Sequence, residues 1–121
     1  MHKLEKIDAY KNAAELSDLI WNIVTKWDIL AKKTIGDQLI RSCDSISANI
    51  AEAEGRYFKK DKIRFFYQTR GSLYEVIDWI NKAKNRNLIS NDNLNLIENR
   101  LNLLPKQIHS LILGASKNLS R

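Results

Sequence analysis

The chain has 121 residues and a formal net charge of +6, from 20 Lys and Arg against 14 Asp and Glu. Apolar residues make up 44% of it, which excludes a disordered chain, and four Gly with one Pro are too few for the turns of a sandwich or barrel. The length fits one domain, and no apolar run approaches the roughly 18 residues of a membrane span, so a soluble, cytoplasmic protein is expected.

Four amphipathic segments follow one another. The first covers about residues 8–28, with a stripe of Ala9, Ala13, Leu16, Ile20, Ile23 and Trp27 and a second ridge of Tyr10, Ala14 and Trp21. The second covers about 34–54, with Thr34 as N-cap, Gly55 as the C′ residue, and Leu39, Cys43, Ile46 and Ile50 as its stripe. The third covers about 60–86 on Ile63, Phe66, Leu73, Ile77 and Ile80. The fourth covers about 91–117, is capped by Ser90 or Asn91, and carries Leu94, Ile97, Leu101, Leu104, Ile108, Leu111 and Ile112. Pro105 interrupts that pattern and predicts a kink or local break. The residues from about Lys117 are expected to fray. Short connections between long helices predict an all-α, up-down antiparallel four-helix bundle in a single unit. Cys43, the lone cysteine, has no disulfide partner and reads as a small core residue.

Two features of the middle helices stand out. Arg41, Ser45, Asn49, Glu52 and Arg56 share one face of helix two within about 80°, at about 100° per residue. Short polar side chains are poor helix formers, so this row reads either as an ordinary wet face or as a polar seam against another helix or subunit. Arg70 falls on the apolar stripe of helix three. It either pairs with a carboxylate, Glu52 being the best placed, or extends to water from the stripe's edge. Ser72 and Glu75 extend the polar row on helix three.

Apolar residues also lie off the main stripes. Tyr10 and Trp21 on helix one, Trp79 on helix three, and Leu96 and Leu103 on helix four are candidates for a self-association interface.

Charge is uneven along the chain. Residues 34–55 carry one basic and four acidic side chains, whereas residues 56–91 carry nine basic and three acidic. Arg56, Lys59, Lys60, Lys62 and Arg64 surround Tyr57 and Phe58 at the start of helix three, where cations oppose the helix dipole. Basic side chains interleaved with aromatic ones neutralise phosphate and stack on bases. Arg56, Tyr57, Lys59, Lys60, Lys62 and Arg64 are therefore nucleic-acid candidates; the competing reading is a solvated loop whose Tyr57 and Phe58 staple the bundle end. Lys82, Lys84 and Arg86 stand at a helix C-terminus, where the dipole alone explains them.

Catalytic signatures are missing. The chain has no Glu-x-x-His pair, H-E-x-x-H, C-x-x-C or Walker loop, and Glu52 and Glu54 point to different sides of their helix. No catalytic residue, metal ligand or cofactor is expected.

The residues of the two middle helices resemble the 23S rRNA intervening-sequence protein family, also called the four-helix-bundle protein family. The resemblance rests on Gln38, Arg41, Ser45, Ile46, Asn49, Ile50, Ala51, Glu52, Gly55 and Arg56, then Phe65, Arg70, Gly71, Ser72, Leu73 and Glu75. Cys43 and Ala53 replace an alanine and a glycine usual there, and Lys62 and Thr69 replace a common aromatic and a common alanine. Phe58 stands where a small polar cap is frequent, which puts the N-cap of helix three in question. The resemblance implies an up-down bundle assembled as a ring-like homopentamer. It also implies a link to nucleic acid, RNA before DNA, because members are encoded within ribosomal RNA gene insertions. Relatives serve as accessory proteins of diversity-generating retroelements, beside a reverse transcriptase. The expected function is a non-enzymatic, nucleic-acid-associated scaffold; the alternative is a structural or protein–protein adaptor without nucleic acid.

Overall fold

The computed structural model describes residues 3–117. They form an all-α up-down bundle, entered through a 3-10 turn at Lys3–Lys6. Helix α1 spans Asp8–Val24, α2 spans Asp37–Glu54 and α3 spans Lys59–Asn85. The fourth limb is two helices, α4 (Asn91–Leu101) and α5 (Leu104–Ser116). Helix α2 packs against both α1 and α3, and α3 packs against α5.

Alternating steps of four and three residues build the core. Ala9, Ala13, Leu16, Ile20 and Ile23 are buried on α1, and Leu39, Cys43, Ile46, Ile50 and Ala53 on α2. On α3 the buried row is Phe66, Thr69, Leu73, Val76, Ile80 and Ala83. This is the knob spacing of a bundle, and each large aliphatic side chain taken from water contributes about 1.5–3 kcal/mol. Thr69 thus fills the place on α3 that the expected stripe gave to Arg70. Its hydroxyl is satisfied locally by donating to the Phe65 carbonyl at 3.0 Å.

The first turn of the bundle differs from expectation. Helix α1 stops at Val24, four residues early, and Thr34 is not an N-cap. Asp28 is the cap: its extended backbone stops the preceding turn, and its Oδ1 accepts from the Ala31 amide at 2.9 Å. A helical turn at Ile29–Ala31 then runs through a π-helical stretch, Lys32–Gly36, into α2. Within it the Thr34 hydroxyl donates to the Leu30 carbonyl at 2.7 Å.

The helix ends also sort themselves by local chemistry. Gly55 is right-handed (φ −81°), so it is not the left-handed C′ residue expected. Lys62 of α3 instead donates to the last carbonyls of α2, Ala53 O at 3.3 Å and Glu54 O at 3.4 Å. The left-handed cap is Asn87 (φ 60°) after α3, where the amides of Asn87 and Leu88 reach Lys84 O and Ala83 O at 3.1 and 2.9 Å. Ser90 caps α4 as expected, accepting from the Asn93 amide at 3.1 Å. Pro105 sits in the first turn of α5, where its missing donor is not needed, and the fourth limb breaks just before it. The buried Asn12 of α1 joins the two halves by donating through Nδ2 to Arg100 O at 2.8 Å and Gln107 Oε1 at 3.0 Å. The residues beyond Lys117, where fraying was expected, lie outside those described.

Burial pushes the Cys43 thiol up from its ordinary 9.0 to about 12, against a smaller opposing effect of the Ser17 hydroxyl, which donates to Sγ at 3.6 Å. Native protein at pH 8 is expected to resist thiol-specific labelling that unfolded protein accepts. The raised folded value also sets a sign. Its contribution to stability is complete below about pH 9 and falls by about 1.4 kcal/mol per pH unit from there towards pH 12. Urea unfolding of wild type and Cys43→Ala across that window checks this; equal slopes would contradict it.

Candidate nucleic-acid interface

The C-terminus of α2 and the N-terminus of α3 meet at one end of the bundle, joined by residues 55–58. Phe58 occupies the N-cap position of α3 in an extended conformation, with no side-chain cap, which fits the doubt its identity raised. Tyr57 and Phe58 are 88% and 65% exposed and meet each other edge to face, with centroids 5.0 Å apart. They do not staple the bundle end. Phe65, nearly two turns into α3, packs partly against the core instead, with the guanidinium carbons of Arg56 and Arg64 at 4.8 and 5.0 Å from its ring centroid.

The structure divides the basic candidates into two groups. Arg56 Nε lies 3.3 Å from Glu52 Oε2, and Arg64 lies 3.6 Å from Asp61. Lys62 is committed to the carbonyls of α2. Lys59 and Lys60, in the first turn of α3, are exposed and carry no ion pair among the described residues. Lys3 joins this end, with its Nζ 3.7 Å from Glu54 Oε1. Sequence pattern alone missed it, because only the return of α2 to the starting end of the bundle brings residue 3 near residue 54. The end therefore offers two uncommitted lysines beside two exposed aromatic rings.

The polar seam is brought together only in part. Ser45 and Ser72 link α2 to α3, their hydroxyl oxygens 2.6 Å apart. Ser45 donates to the Ser42 carbonyl at 2.8 Å, so Ser72 supplies the proton between the two hydroxyls. Arg41 pairs with Asp37 at 3.0 Å on the surface. Asn49 is half-buried and Glu75 exposed, and neither has a side-chain hydrogen bond among the described residues. The expected Arg70–Glu52 pair does not form: both residues are exposed, Glu52 is engaged by Arg56, and Arg70 lies 5.9 Å from the Tyr74 ring centroid. The reason is angular. Residues 70 and 72 flank the buried row of α3 on opposite sides, about 160° apart at about 100° per residue, so Ser72 faces α2 while Arg70 faces α5.

Of the self-association candidates, Trp21, Leu96 and Leu103 are exposed. Tyr10 and Trp79 are half-buried and pack against the core, and the Lys82 ammonium stands 4.9 Å from the Trp79 centroid. Ile29 and Leu30 are 69% and 75% exposed at the opposite end from Tyr57. They escaped sequence reading because helix two was expected to begin after them.

A comparison with protein families matches residues 5–110 to the description 23S rRNA-intervening sequence protein. The chain belongs to that family. The match takes in the Ser45–Ser72 contact, the exposed aromatic pair and the break at Pro105, and it ends within α5. A comparison with curated proteins finds no match. Among the described residues of this intervening-sequence protein, no helix is long and apolar enough to cross a membrane.

Proposed function

We propose that this intervening-sequence protein is a non-enzymatic, homo-oligomeric scaffold of the cytoplasm that holds RNA against the Tyr57–Arg64 end of its bundle. The observation that carries the reading is the pair of aromatic rings at Tyr57 and Phe58, 88% and 65% exposed beside Lys59 and Lys60. Exposed aromatic rings leave water poorly used, and bases stack on them, while the adjoining lysines neutralise phosphate. Two observations support self-association. Trp21, Leu96 and Leu103 remain uncovered on the single chain. Gly71 lies within α3 with nothing within 4 Å of the Cβ it lacks, so nothing in the single chain requires a glycine there. A glycine inside a helix costs roughly 0.5–1 kcal/mol against alanine, and close approach of a second chain offsets that. In a ring, the basic aromatic end recurs around one rim, and each repeat raises avidity where one RNA spans several subunits.

The double variant Tyr57→Ser/Phe58→Ser tests the stacking half of this reading. Loss of base stacking is expected to weaken binding of a structured RNA by about 1–3 kcal/mol for each base no longer stacked. Circular dichroism and light scattering are expected to be unchanged, with a particle of several chains in both proteins. Unaltered RNA affinity would contradict the role of the rings. A monomeric wild type would remove the scaffold.

A further inference from the structure

Ile29 and Leu30 are left unexplained by the core and by the basic end at Tyr57. They are adjacent in sequence, and both are more exposed than Leu96, Leu103 or Leu113. A lone exposed aliphatic residue is ordinary, but an adjacent pair at the tip of a connection makes a continuous apolar surface. The tip is also held in place. Asp28 caps the turn that carries the pair, and Trp27 packs against the core behind it. On the other side, the π-helical stretch is fixed by the close approach of Gly36 to Val24 and Trp27. A tip already fixed loses little conformational freedom on docking.

The surrounding charge selects the occupant. Lys26, Lys32 and Lys33 flank the pair, and all three are exposed with no ion pair among the described residues. Lys33 follows the pair by one turn, a spacing that lets a lysine stem run along apolar surface while its ammonium reaches outward. Helix α3 runs back along α2 and meets the π-helical stretch, which brings Lys84 and Arg86 to this same end. Both are exposed and unpaired among the described residues. The acids nearby are Asp28, engaged as the cap, Asp37, paired with Arg41, and Asp92 in the first turn of α4. RNA matches the charge but not the tip, since bases stack on aromatic rings and these side chains are aliphatic. A second copy docked tip to tip would set like charges against each other. An anionic bilayer matches both features: its acyl boundary accepts Ile and Leu, and its headgroups accept the cations.

We infer that the Ile29–Leu30 end is a docking surface for an anionic lipid bilayer, with the two side chains entering the acyl boundary and the surrounding lysines on the headgroups. The protein lies on such a surface and does not span it. The surface is at the opposite end of the bundle from Tyr57, so it does not depend on RNA binding there.

Co-sedimentation of the full chain with phosphatidylcholine vesicles, with and without about 30% phosphatidylserine, tests this. Binding to the anionic vesicles is expected to exceed binding to the neutral ones by at least about tenfold and to weaken as salt is raised. Ile29→Ser/Leu30→Ser is expected to lose about tenfold or more of that binding, and Lys32→Glu/Lys33→Glu likewise. Both variants are expected to keep the wild-type melting temperature, since all four side chains are exposed. Tyr57→Ser/Phe58→Ser is expected to bind vesicles as the wild type does. No binding to anionic vesicles, or equal binding to neutral ones, would overturn the inference, as would a loss confined to the Tyr57/Phe58 variant. Undiminished vesicle binding by the Ile29/Leu30 variant would overturn it too; a smaller particle in light scattering would then give the pair to a contact between copies, and lost RNA affinity would give it to RNA.

Discussion

Reversing Lys59 and Lys60 together to glutamate is expected to lower RNA affinity by about 100-fold or more at low salt, with the folded bundle intact. Each lysine that contacts phosphate contributes a released counterion, and a glutamate in its place adds repulsion. Neither lysine has a structural partner to lose, since both are exposed and unpaired among the described residues. Their position sharpens the result. They occupy the first turn of α3, where a carboxylate is favoured by the helix dipole by about 0.3–1 kcal/mol and a cation is not. The variant is therefore expected to melt at or above the wild-type temperature, which separates lost binding from lost folding. Lys62 is a poor probe because its replacement also uncaps the Ala53 and Glu54 carbonyls. The triple replacement Lys82, Lys84 and Arg86 to glutamate serves as the comparison. Those residues stand at the far end of α3, and Lys82 is already paired with Asp78. Its effect on RNA affinity is expected to be smaller than that of the Lys59/Lys60 reversal.

Gly36→Ala is expected to destabilise the fold by about 1–3 kcal/mol, measured by urea unfolding. A Cβ at residue 36 would stand 2.7 Å from Val24 Cγ1 and 3.1 Å from the Ala31 carbonyl oxygen. Val24 is β-branched and buried, so it has little rotamer freedom to withdraw, and the carbonyl belongs to the helical turn itself. The close approach is what lets the π-helical stretch run directly against the end of α1. Gly71→Ala is expected to have the opposite sign in the isolated chain, a gain of about 0.5–1 kcal/mol, because open space surrounds that position. If a second copy packs along α3 there, the same variant weakens the oligomer in light scattering. A Gly36→Ala variant as stable as wild type would show that the two helix ends yield easily.

Much of the fold was legible because its signals are local and periodic. The steps of four and three that bury Leu39, Cys43, Ile46 and Ile50 are written in the sequence, as are Ser90 at a helix start and Pro105 at a break. What escaped depends on choices between near-equivalent local signals. Asp28 and Thr34 are both residue types that cap helices, and the π-helical stretch that takes in Thr34 and continues the helix through it decides in favour of Asp28. Arg70 and Thr69 are adjacent on α3, and a rotation of about 100° decides which one is buried. At the basic end, composition identified the cluster, but it could not divide it. Only the fold separates Lys62, spent on a helix terminus, from Lys59 and Lys60, which are free of ion pairs among the described residues.

The decisive measurement is the equilibrium affinity of the wild-type protein for a labelled, structured RNA at about 50 and about 200 mM salt, followed by fluorescence anisotropy. Binding through the repeated basic ends predicts a linear fall of log affinity with log salt, by several powers of ten over that range, and a shallower slope for the Lys59/Lys60 reversal. No binding at the lower salt, or an affinity indifferent to both salt and the two lysines, would contradict a nucleic-acid scaffold.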